Sequence, residues 1–146
     1  MPPLSRWFVK AALLHFALAV SLLGWLQTSF GPAGALAAGL RLAALHLLVV
    51  GWVSQLIVGV AHWMFPPLPR DRRHRRGHPL PPTLAFGLLN AGLLLRLVAE
   101  PALRSGAARG PWPWLLASSA AAQWLAVLLL VVHLWPRVRG RSGGHA

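Results

Sequence analysis

The sequence predicts an all-α integral membrane protein, a four-helix bundle with both termini on the cytoplasmic side (N-in/C-in). Three observations lead there. Of the 146 residues 56% are hydrophobic and 11% charged, whereas a soluble domain carries about a quarter charged residues, so a water-exposed globule of this chain could not cover itself with polar surface. Apolar windows long enough for a hydrocarbon core of about 30 Å recur along the chain, near residues 7–27, 40–65, 83–99 and 112–135. The cations between those windows are distributed unequally over the two sides.

The first window follows Arg6 and includes Lys10, and runs through "AALLHFALAVSLLGWL". A signal peptide cleaved near "AGALAAG" is the rival interpretation and would remove His15. The length of the apolar run, and Trp25 and Gln27 beside that site, favour an uncleaved span. The second window, "HLLVVGWVSQLIVGVAHWMFP", ends at Pro66. The third and fourth are preceded by "PPLPRDRRHRRGHPLPP" and "EPALRSGAARG", rich in Pro, Gly and Arg, which interrupt helices cheaply only in loops. Trp7, Trp25, Trp63, Trp112, Trp114 and Trp135 fall near window ends, where indoles favour the headgroup layer.

With the N-terminus inside, the inner side receives Arg6, Lys10, Arg70, Arg72, Arg73, Arg75, Arg76, Arg137, Arg139 and Arg141, and the outer side Arg41, Arg104 and Arg109. This excess of inner cations sets the N-in/C-in orientation. It makes 66–82 a basic cytoplasmic loop and 137–146 a disordered basic tail. The loop serves as a topology determinant, and also suits acidic partners or anionic headgroups. The net charge of +12 does not imply nucleic acid, because the cations alternate with apolar runs instead of lining one soluble face. The absence of cysteine excludes disulfides, iron–sulfur clusters and thiolate zinc sites.

Polar side chains inside a span are expensive and usually face protein or a cavity. Here they are His15, His46, Gln55, His62, Asn90, Arg96, Gln123 and His133. Helical rise places His46 about 9 Å and Arg96 about 4.5 Å below the outer ends of their spans, where each could meet the same ligand. His62 and His133 share a level near the inner ends and either reach water or form a pair. His15, about 12 Å above the inner end of its span, belongs to neither level. At about 100° per residue His46 and His62 point roughly 160° apart. Gln55, Asn90 and Gln123 suit hydrogen bonds between helices, and Arg96 can pair with Glu100 one turn on. Gly51 and Gly59 allow close approach of another backbone or of a flat cofactor.

Residues 46–66 follow the pattern H-x(4)-G-W-x-x-Q-x-x-x-G-V-A-x-W-x-x-P through His46, Gly51, Trp52, Gln55, Gly59, Val60, Ala61, Trp63 and Pro66. "LLNAGLLLRLVAEP" adds Asn90, Gly92 and Arg96. These segments resemble heme–copper oxidase subunit I, and in particular the small four-span bacterial membrane proteins similar to it. The resemblance implies a multi-pass protein of the bacterial inner (cytoplasmic) membrane. It gives His46 the position of the low-spin heme ligand, with Gly51 and Gly59 beside the ring and Arg96 or Arg41 near the propionates. Such a chain would bind heme b for electron transfer, sensing or heme handling. A second copy of His46, across a homodimer, would complete the iron's ligands. His62 and His133 form a weaker alternative metal site. The later histidines that hold copper in the oxidases have no counterpart, so a self-contained oxidase or reductase is not expected. The other expectation is a cofactor-free accessory or assembly subunit, in a homodimer or a respiratory-type membrane complex within the lipid bilayer.

Overall fold

The computed structural model describes residues 1–65, 80–106 and 110–138. Most of the predicted basic loop (66–79), Arg109 and residues 139–146 of the predicted tail lie outside the described residues. Four helices, each long and apolar enough to cross a membrane, account for nearly all the rest: helix one Pro3–Trp25, helix two Gly34–Met64, helix three Leu80–Arg104 and helix four Trp112–Val138. The described residues contain no strand.

Helices one and three start ahead of their apolar windows because their first turns, like that of helix four, carry good start signals. Pro3, Pro81 and Pro82, and Pro113 stand in the first turns of helices one, three and four, where the missing N–H has no intrahelical partner to lose and φ is already helical. The connection between helices one and two is a tight turn in which Thr28 Oγ1 donates to the Trp25 carbonyl at 2.8 Å. A Cβ on Gly31 would come within 2.6 Å of that same carbonyl oxygen, so the turn requires glycine there.

At the other end of helix three, Glu100–Arg104, expected as loop, is helical, and Glu100 and Pro101 are buried. The burial has a local cause. Helix two crosses so closely that a Cβ on Gly39 would lie 2.5 Å from Pro101 Cα. Arg137 and Val138, expected to begin the tail, belong to helix four, and Arg137 is 3% exposed.

Helix two is the central element. Its first half packs on helix three and its second half on helix one, while helix four lies along helix three. Lipid tails are as apolar as leucine, so close van der Waals fit has to supply the attraction that water supplies in soluble cores. Small residues provide that fit: a Cβ on Gly59 would meet Phe8 Cβ at 2.9 Å, and one on Gly92 would meet the Ser119 carbonyl at 3.0 Å. Phe8, Ala19, Leu47, Ala85, Leu89, Leu93, Ala126 and Leu130 form the buried core. Phe8 meets Phe86 edge to face at 5.0 Å. Outward faces are apolar as well, with Leu14, Ile57, Trp124 and Val132 all exposed, which is the pattern of a bilayer-embedded bundle.

Helix two is irregular in one place. Leu47–Ser54 is a π-helix, and Ser54 Oγ donates to the carbonyl of Val49, five residues back, at 2.8 Å. With roughly 4.4 residues per turn, each π residue advances about 18° less than an α residue, which cancels most of the 160° offset expected between His46 and His62. The two histidines therefore both face the side of the bundle occupied by helices three and four.

Candidate functional site

The polar side chains of the spans gather at three levels. At the end distal to both termini, helix two offers His46 and helix three offers Arg96 and Glu100. His46 Nδ1 lies 2.9 Å from the Leu42 carbonyl, an acceptor only, so Nδ1 carries the proton and donates it. The other ring nitrogen, Nε2, then accepts from Arg96 Nη1 at 2.9 Å. The same Nη1 donates to Glu100 Oε2 at 3.1 Å. Glu100 Oε1 is 3.8 Å from Arg104 Nε. The carboxylate is nearly buried, with its side chain 6% exposed against 15% for Arg96. Arg96 Nε is buried with no hydrogen-bond partner among the described residues.

The middle level joins all four helices. Gln55, fully buried, donates from Nε2 to His15 Nδ1 at 3.2 Å and to Asn90 Oδ1 at 3.3 Å. Asn90 Nδ2 returns a hydrogen bond to Gln55 Oε1 at 3.4 Å and donates to the Phe86 carbonyl at 2.7 Å. Ser119 of helix four donates to the Gly92 carbonyl at 2.7 Å and accepts from Gln123 Nε2 at 3.1 Å. Gln55 and Asn90 thus pair across helices, while Gln123 pairs with a hydroxyl of its own helix, as burial in a low-dielectric interior demands.

At the level of the termini the rings of His62 and His133 come together, with centroids 5.4 Å apart and planes inclined by 32°. Arg137 lies against them. Its Nη1 donates to His62 Nδ1 at 3.3 Å, and its Nη2 donates to the carbonyls of His62 at 3.1 Å and Phe65 at 2.8 Å. The guanidinium caps the C-terminus of helix two, where unpaired carbonyls and the helix dipole favour a cation.

The residues expected at a heme site are thus divided. His46 and Arg96 meet, but they meet each other. Gly51 and Gly59 face helix one: a Cβ on Gly51 would lie 2.8 Å from His15 Cγ, and the space over Gly59 is filled by Phe8 and Ser5. Arg41 lines a groove on the surface. An iron ligated by His46 needs the Nε2 lone pair, which points at an Arg96 N–H, so the residues as arranged do not fit a heme at that position. His62 and His133 converge, yet the Arg137 hydrogen bond to His62 Nδ1 leaves Nε2 carrying the ring proton. Among the described residues no group of three or more histidines, aspartates or glutamates is placed to hold a metal ion.

Two participants escaped sequence reasoning. His15 lies at nearly the depth of Gln55, and comparing depths across spans would have paired them. Arg137 follows His133 by one turn, but nothing local signals that it turns inward. Comparison with known protein families, characterised proteins and solved structures returns no match.

Proposed function

We propose that this chain is a cofactor-free accessory or assembly subunit of a membrane complex, whose cross-linked polar interior holds one packing while its outward faces meet partners. One observation carries this reading: the groups a cofactor would need are engaged by the bundle itself. Both nitrogens of His46 are hydrogen-bonded, and Gly51 and Gly59 are covered by helix one. Buried polar groups hydrogen-bonded from one helix to another favour a single arrangement of helices over competing ones. That is a useful property in a subunit that others dock against.

The outward face of helix four supports the same reading. Trp124 is 63% exposed and stands about 18 Å from the start of its helix, far from the headgroup layers in which tryptophans concentrate. A partner helix, in a homodimer or a respiratory-type complex, would cover it. The excess of cations near the termini favours an N-in/C-in orientation in a bacterial cytoplasmic membrane. Reporter fusions at Ala108 and Ala146 test the orientation: activity outside the cytoplasm is expected only at Ala108, and the opposite pattern inverts the topology.

The visible spectrum of the protein, purified in mild detergent from heme-replete cells, tests the functional reading. No Soret band is expected. A band in the wild type that disappears in His46→Ala would replace the scaffold reading with heme binding at His46, after opening of the Arg96 hydrogen bond.

A further inference from the structure

We infer that the end of the bundle distal to the termini holds an anionic phospholipid, with its phosphate at Arg41 and Arg104, its headgroup in the groove that opens outward from Arg41 and an acyl chain in the groove that runs inward from it. The inference needs the membrane setting alone and stands whether or not the accessory-subunit reading survives.

Two apolar grooves share Arg41 and Leu45 as a common wall. The first, about 550 Å³, runs between the turn after helix one and the start of helix two, past Leu26, Pro32 and Ala38, and reaches Arg104. The second, about 470 Å³, lies between helices one and two along Val20, Leu23 and Gly24. Pro32, Ala33 and Gly34 precede Arg41 toward the outer end of helix two, whereas Val20 and Leu45 lie deeper, so the first groove opens outward from Arg41 and receives a headgroup while the second runs inward and receives an acyl chain. Its height is also right: Arg41 sits at the boundary where the apolar window of helix two begins near residue 40, at headgroup level.

Charge selects the occupant. Arg41 makes no ion pair and no side-chain hydrogen bond among the described residues. Arg104 has only a 3.8 Å contact with Glu100, a carboxylate already committed to Arg96 at 3.1 Å, and is itself half exposed. Three described arginines at this end thus face one carboxylate. A second copy offers no exposed carboxylate among its described residues to neutralise them, because the acid they include, Glu100, is buried. A diffusible anion would leave the inward apolar groove unused.

Native mass spectrometry of the full chain in mild detergent, titrated with dioleoyl phosphatidylglycerol or dioleoyl phosphatidylcholine, tests the site. The wild type is expected to retain the anionic lipid in clear preference. Each interfacial arginine changes anionic-lipid affinity by about fivefold, so Arg41→Gln lowers retention by about that factor and the Arg41→Gln/Arg104→Gln pair by up to about 25-fold. Both side chains are at the surface, so circular dichroism and monodispersity should not change. Ala38→Trp, which fills the first groove without touching charge, should also lower retention. Equal retention of the two lipids by the wild type overturns the proposal. So does a preference that persists in the double variant, which would assign it to the basic stretch near residues 70–76. Displacement of the lipid by equimolar glycerol phosphate would make the site one for a free phosphate and overturn the acyl-chain assignment.

Discussion

Replacing Arg96 by methionine removes the cation that His46 and Glu100 share, and the structure sets the size of the penalty. Glu100, with 6% of its side chain exposed, would keep Arg104 alone, 3.8 Å away and half exposed. Breaking a buried ion pair from one side costs about 3–5 kcal/mol because a charge remains without its partner; the residual help from Arg104 places Arg96→Met near the low end, about 3 kcal/mol. In Arg96→Met/Glu100→Gln no carboxylate is stranded. What remains is the lost hydrogen bond to His46 Nε2, about 1 kcal/mol for an interhelical bond in a membrane protein. The double variant should thus be more stable than the single one by about 2 kcal/mol, well beyond the scatter of additive sites. Unfolding by sodium dodecyl sulfate in mixed micelles, followed by circular dichroism, measures all members of the cycle. If Arg96→Met and the double variant unfold at the same detergent fraction, Glu100 is not held by Arg96, and the cluster is an incidental surface pairing.

Two further outcomes follow from the packing. Gly51→Ala should destabilise by about 1–3 kcal/mol, since its Cβ would lie 2.8–3.1 Å from the His15 side chain. Gly87→Ala, where nothing lies within 4 Å, should instead stabilise by roughly 0.5–1 kcal/mol; equal effects in the same detergent assay would deny the close contact of helices one and two. Arg137→Gln releases the carbonyls of His62 and Phe65, so hydrogen–deuterium exchange over residues 61–65 should accelerate while helix one is unaffected. Unchanged exchange there would show that helix two ends without this cap.

Some of this molecule is determined by sequence alone. The number and approximate extent of the membrane-crossing helices follow from composition and window length, because bilayer thickness is an external ruler and leaves few ways to satisfy backbone hydrogen bonds. The depth of each polar residue follows from helical rise, so His46 with Arg96, and His62 with His133, were correctly placed at common levels. The pairing of Arg96 with Glu100 was legible for the same reason, being a contact within one helix. Direction around the helix axis was not legible. The π segment Leu47–Ser54 has no sequence mark beyond Gly51, yet it turns His46 toward helix three and overturns an angle computed for regular geometry. The order in which helices pack also lies outside one-dimensional information, since each span is apolar on nearly every face and a hydrophobic stripe cannot identify its neighbour. Tertiary structure therefore decided which partner each polar group received: Arg96 for His46, His15 and Asn90 for Gln55, and the end of helix two for Arg137. In hydrocarbon a polar side chain must find another polar group or remain unpaired, so its partner depends on which helices come together and at what rotation.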